Sequence, residues 1–245
     1  VSMSIVVFDV ETRVDKALVR ATQCPGERIG DDEAYERMRE QLRHESVGRS
    51  DFFPLGFHVP ISIAVVHAGD DLALRSVEVL GADRLGEEGL VGEFWSRLEA
   101  FDGQLVSYNG RGFDLPVLEL RALHYGLSAP RYFGGERNGL RQRFGRHLDL
   151  FDWFGNHGAV RLRGGLDLIA KLAGLRGKSD VSGADVQRLW ERGAWDTIHR
   201  YCLDDAVQTY FVLLRVEQLR GRLSADAAAA TATAAQAWLA AREAT

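Results

Sequence analysis

Two carboxylates, Asp9 and Glu11, stand one residue apart at the end of an apolar run in VSMSIVVFDVET. On an extended strand side chains alternate faces, so both acids project from the same side. Like charges at that spacing raise at least one pKa or call for a counter-charge, which fits either a solvated strand end or a bound cation. A third acid, Asp114, follows the glycine-rich turn of SYNGRGFDLP at a helix start, where a carboxylate also suits free N–H groups and the helix dipole. Asn109 of the same stretch is read either as a turn residue or as a substrate contact.

RYCLDDAVQTYFVLL adds Tyr201 and Asp205, four residues apart and thus on one face of a helix. Its neighbouring acids are separable by stripe. Asp204 falls with Arg200 and Gln208 on a polar face, whereas Asp205 falls with Ile198, Tyr201, Cys202 and Val212. Asp205 is therefore expected to point inward, where an uncompensated charge is costly and needs a partner.

The elements that must position these groups are legible from periodicity. SIVVFDV reads as a strand, and HVPISIAVVHAG (58–69) with LALRSVEVL (72–80) as a hairpin beside it. EEGLVGEFWSRLEAF (87–101) has helical spacing, QLVSYNG (104–110) is a short strand, and the segment after it is helical with Pro116 near its start. From about residue 165 the pattern is almost wholly helical. This order predicts an α/β fold, a mixed sheet covered by helices. Residues 12–56 are an excursion with a solvated, mixed-charge helix and glycine- and serine-rich ends expected to be mobile. The alanine-rich 224–245 is expected to form a helix or tail outside the 1–223 domain.

At 245 residues, 46% hydrophobic and 27% charged, the chain can bury a full core, which excludes disordered and fibrous classes. A net charge of −5 gives no global basic footprint, so any nucleic-acid contact must be local. Cys24 and Cys202 lack metal-type spacing, and no apolar run approaches a membrane span; a cytoplasmic protein with free thiols is expected.

FDVET, YNGRGFDLP and YCLDD, in that order and with D-x-E, N-x4-D and Y-x3-D spacing, resemble the three motifs of DEDDy-type 3′–5′ exonucleases of the ribonuclease-H-like superfamily. The likeness is greatest to predicted stand-alone exonucleases related to the proofreading domain of family-B DNA polymerases, and it covers roughly residues 3–216. It implies a ribonuclease-H-like mixed sheet flanked by helices. It also implies hydrolysis at single-stranded nucleic-acid 3′ ends, DNA in preference to RNA, by two divalent cations, Mg2+ or Mn2+, about 4 Å apart. By the same resemblance Asp9, Glu11, Asp114 and Asp205 are the metal ligands. Asp9 would bridge both cations, Asp114 would hold the second largely through water, and Tyr201 would orient the attacking water. A tyrosine is better suited to positioning than to acting as a base, given its ordinary pKa near 10. A nucleic-acid-binding module with little or no turnover is the alternative reading.

Substrate contacts are assigned on the same basis to Asn109 and to Lys178, the latter in a Gly-Lys turn before a helix that equally suits a plain surface loop; Phe113 is a substrate candidate from its place beside the acids. Phe8 and Phe113 both flank the acids, and either base stacking or a core position suits each. Asp149 of RHLDLFDWF resembles a family position too, but an acid between Leu148 and Leu150 also suits a strand end or helix cap, and it is left out of the metal site. The stretch 131–147 has five arginines with interleaved aromatics, which fits a phosphate-contacting loop or simply a solvated one.

Overall fold

The computed structural model describes residues 4–48, 50–134, 139–175 and 182–243. Along the described chain run β1 (Ile5–Val14), α1 (Lys16–Gln23), α2 (Asp31–Glu45), a 3-10 turn (Leu55–Phe57), β2 (His58–Ala68) and β3 (Leu74–Gly81). There follow α3 (Ala82–Ala100), β4 (Gln104–Ser107), α4 (Asp114–Tyr125), α5 (Pro130–Phe133), β5 (His147–Asp149) and α6 (Leu150–Phe154). The chain ends in α7 (Gly165–Leu172), α8 (Gly183–Glu191), α9 (Trp195–Leu219) and α10 (Ala225–Glu243).

The strands form one mixed sheet in the order β3-β2-β1-β4-β5, with helices on both faces, in agreement with the α/β expectation. β1 is central: it pairs antiparallel with β2 from Ile5↔Ala68 to Val14↔His58, and parallel with β4 only over Ile5–Val7. Both faces of β1 are buried, which is why its sequence is a near-continuous apolar run. Ile5 and Val7 pack with Cys202, Ala206 and Tyr210 of α9. Phe8 and Val10 pack with Trp95 of α3 and Leu118 of α4. Alternation therefore delivers Asp9 to the α9 side, and Glu11 with it, just before a register irregularity between Glu11 and Thr12.

The helix-period segment 87–101 is the continuous part of α3, beyond a break at Gly86 (φ +68°). α9 buries Ile198, Tyr201, Cys202, Asp205, Ala206, Thr209, Tyr210, Leu213 and Val216, a stripe of three- and four-residue spacings. Its close approach to the sheet is marked by Cys202 Sγ, 3.4 Å from the Asp9 carbonyl oxygen and 3.6 Å from that of Ser62.

The excursion after β1 holds two helices, α1 and α2, where the sequence pattern suggests one. They enclose a small core of Val14, Val19, Cys24, Ala34, Tyr35, Met38 and Phe53. Lys16 joins this layer to α8 through Glu191 at 2.5 Å, and the Val14 N–H donates to Gln187 Oε1 at 2.7 Å. The alanine-rich α10 packs on the α9 side through Ala228 and Ala235, and Arg242 Nη1 donates to the Val77 carbonyl at 2.6 Å. No described helix is long and apolar enough to cross a membrane.

Candidate active site

Asp9, Glu11 and Asp205 meet where the middle of β1 crosses the middle of α9; the strand does not end at the acids, as its sequence suggests, but runs on to Val14 along β2. Each offers a carboxylate oxygen, and the three oxygens lie within 4.8 Å of one another. The inward orientation expected for Asp205 is found: it is 6% exposed, while Asp204 faces solvent. Tyr201, one turn earlier and also buried, donates its hydroxyl to Asp205. Its phenol is pushed far above the ordinary value, first by burial and then by the charges of Glu11, Asp205 and Asp9. It stays protonated at any physiological pH, a hydrogen-bond donor and not a base. Three anionic groups with oxygen-only donors, crowded this closely, form a set suited to a hard divalent cation.

Asp114 comes from the opposite side of β1. It is the first residue of α4, and its carboxyl accepts its own N–H and that of Val10. β4 has left β1 after Val7, so the Val10 peptide lies beyond the parallel ladder and the side chain takes over. The carboxyl is pushed up to about 8, first by burial, with the charges of Asp149 and Asp205 adding to it. Asp114 is thus electrostatically linked to Asp205 without belonging to the three-acid cluster. A divalent charge nearby would favour its ionised form.

The loop between β4 and α4 is organised by Asp149. At the end of β5 this buried carboxylate accepts from four backbone N–H groups: Asn109 and Arg111 at 2.8 Å, Phe151 at 3.0 Å and Asp152 at 3.3 Å. It caps α6 and holds the 109–111 loop at once, and burial raises its pKa in spite of those four bonds. No spacing in the sequence links Asp149 to Asn109; the available signals are an acid immediately before a helix and its resemblance to a family position. Asn109 itself sits in the left-handed region (φ +68°), and its carbonyl accepts from the N–H groups of Gly112 and Phe113. A Cβ on Gly112 would come within 2.4 Å of Asn109 Oδ1, so the glycine lets that side chain fold over the turn.

Of the two flanking aromatics, Phe8 is core, 1% exposed and packed on Phe94, which decides against base stacking. Phe113 is half-buried and meets His58 edge-on at 5.0 Å. Burial pushes the His58 imidazole down, and its Nδ1 is 2.8 Å from Thr12 Oγ1. Lys178 lies outside the described residues. The arginine-rich stretch is largely engaged in ion pairs: Arg131 and Arg146 with Asp102, Arg141 with Glu119, and Arg143 with Asp152.

Residues 50–245 match the model of a family described as predicted 3′–5′ exonucleases related to the exonuclease domain of PolB. The chain belongs to this family. The match includes Asn109, Asp114, Tyr201 and Asp205 of this chain, and begins after the β1 acids. The chain is 25% identical over 174 residues to a DNA polymerase of Archaeoglobus fulgidus, covering 67% of this chain and 21% of that one. It is 29% identical over 133 residues to a catalytic subunit of DNA polymerase epsilon from Arabidopsis thaliana, covering 49% of this chain and 6% of the relative. Its fold is similar to the family B DNA polymerase of Pyrobaculum calidifontis, with a TM-score of 0.57 and 19% identity over 88% of this chain and 24% of the other. The ribonuclease-H-like arrangement of a family B polymerase exonuclease domain is thus the fold of this chain, which spans a quarter or less of each of these polymerases.

Proposed function

We propose that this chain is a metal-dependent 3′–5′ exonuclease that removes nucleotides from single-stranded 3′ ends, DNA in preference to RNA. The observation that carries this reading is the convergence of Asp9, Glu11 and Asp205 within 4.8 Å, with protonated Tyr201 donating to Asp205 at its edge. A scaffold would gain nothing from three crowded acids, since like charges oppose folding.

Asp9, Glu11 and Asp205 would hold one Mg2+ or Mn2+, and Asp9 with Asp114 the second. When bound, two such cations lower the pKa of the attacking water and neutralise charge on the reacting phosphate. The chain's own groups then supply orientation. Tyr201 offers the water its hydroxyl oxygen as a fixed hydrogen-bond acceptor, because its one proton is donated to Asp205 and burial keeps it in place. Asp149 fixes the loop that presents Asn109 and Phe113, the proposed contacts to the terminal sugar and base. Lys178 is assigned to a phosphate on its motif alone.

The test uses matched DNA and RNA oligonucleotides, labelled at either end, with Mg2+ or Mn2+. Shortening from a free 3′ end, blocked by a 3′-terminal phosphorothioate and lost in Asp9→Ala and Asp205→Ala, is the expected result. Degradation that survives both substitutions overturns the site. Binding of oligonucleotide with no product under either metal favours the binding module instead.

A further inference from the structure

Phe52 is 57% exposed, yet its neighbours along the chain are firmly held. Asp51 is clamped by Arg39 at 2.9 Å and by Arg43 at 2.8 Å, both from α2. Phe53 is buried and stacks on Tyr35 of α2, with centroids 4.9 Å apart and planes at 3°. The Phe52 N–H donates to Ser50 Oγ at 3.1 Å. Between these anchors the Phe52 ring lies over His58 at 5.0 Å and meets Phe113 at 5.6 Å, edge to face. Phe113 immediately precedes Asp114, and His58 Nδ1 lies 2.8 Å from the hydroxyl of Thr12, the residue that follows Glu11. An exposed ring costs hydration free energy, and here the fold spends two ion pairs and a stacked pair to keep one in place.

We infer that Phe52 is a substrate-positioning residue, its solvent-facing side stacking on the base of the 3′-terminal nucleotide beside Phe113. The α1–α2 layer is then the device that presents it. The occupant is a nucleobase, since every base has a π-face and a ring at this place meets the end of a chain whose phosphate lies at the acids. This rests on the exonuclease reading for the location of the 3′ end, and its test separates the two.

Equilibrium binding is measured by fluorescence anisotropy on Asp205→Ala protein, with and without Phe52→Ala or Phe52→Trp. The probes are single-stranded oligonucleotides ending in a normal or an abasic 3′ nucleotide; turnover of the same probes by wild-type and Phe52→Ala protein with Mn2+ runs in parallel. Phe52→Ala is expected to weaken binding of the normal end roughly 5- to 150-fold, to leave the abasic end unchanged, and to raise KM more than it lowers kcat. Phe52→Trp restores binding. Equal affinity with and without Phe52, or an equal loss on normal and abasic ends, overturns the inference while wild-type turnover leaves the exonuclease reading intact. Base-dependent, Phe52-dependent binding with no wild-type turnover does the reverse, and no binding together with no wild-type turnover overturns both. A thermal midpoint of Phe52→Ala close to that of the parent shows that the fold is retained, as its exposure leads one to expect.

Discussion

Tyr201 donates its hydroxyl to Asp205 one turn further along α9, and burial, with the charges of Glu11, Asp205 and Asp9, keeps the phenol protonated. Tyr201→Phe should therefore lower kcat by about 10²-fold through lost orientation, with metal-induced stabilisation retained. No limb of the pH–rate profile belongs to the phenol, so the profile below pH 10 should keep its shape. A profile that shifts with the substitution would return Tyr201 to the role of a base.

The acid cluster predicts a thermodynamic signature independent of turnover. A cation that binds only the folded state stabilises it by about 2.7 kcal/mol at a hundred times its Kd. Mg2+ or Mn2+ should raise the melting temperature of the wild-type chain, and Asp205→Asn should remove most of that rise while leaving the metal-free protein as stable or more so, because a like charge is gone. A drop in metal-free stability would mean that the acids are satisfied by contacts within the chain.

His147 gives a pH dependence of folding to which the three-acid cluster does not contribute. Its Nε2 is 2.8 Å from Ser107 Oγ, its Nδ1 is buried without a partner, and burial pushes its pKa from the ordinary 6.5 down to about 3, with Arg111 adding to the fall. A group lowered on folding contributes stability above its unfolded value, and that contribution is lost as pH falls toward the folded one. Chemical denaturation should show wild-type losing about 3 kcal/mol more than His147→Gln between pH 7 and pH 4. Parallel pH profiles for the two proteins would contradict the buried neutral imidazole.

Asp149 carries the loop, and Asp149→Ala would strand four backbone donors. A destabilisation of about 3 kcal/mol is expected from the lost cap and the unsatisfied N–H groups. Activity at temperatures where the variant is folded should fall through KM, since Asn109 and Phe113 lose their support while the three-acid cluster stays on β1 and α9.

The parts of the site readable from sequence are those set by local periodicity. Alternation along β1 put Asp9 and Glu11 on one face, and the helical stripe separated inward Asp205 from solvated Asp204. Asp149 was open to a cap or strand-end reading, but its partners at Asn109 and Arg111 come from a turn some 40 residues earlier, and no spacing rule connects them. β5 has three residues, too few to display a period. The α1–α2 layer was obscure for another reason: its apolar anchors, from Val14 to Phe53, are sparse within a charged stretch and meet only in three dimensions. The paired arginines of 131–146 are likewise set by Asp102, Glu119 and Asp152, none of them predictable as partners from composition.

β1 is hydrogen-bonded on both sides near its start, along β2 over its whole length, and packed on both faces. Its amides should exchange with solvent only on global unfolding, whereas the rim formed by Phe52 and the 109–113 turn hangs on side-chain anchors that can open separately. The two halves of the site thus answer to different free energies. Mild denaturant should erode discrimination among 3′ ends well before it erodes the ability to bind a cation.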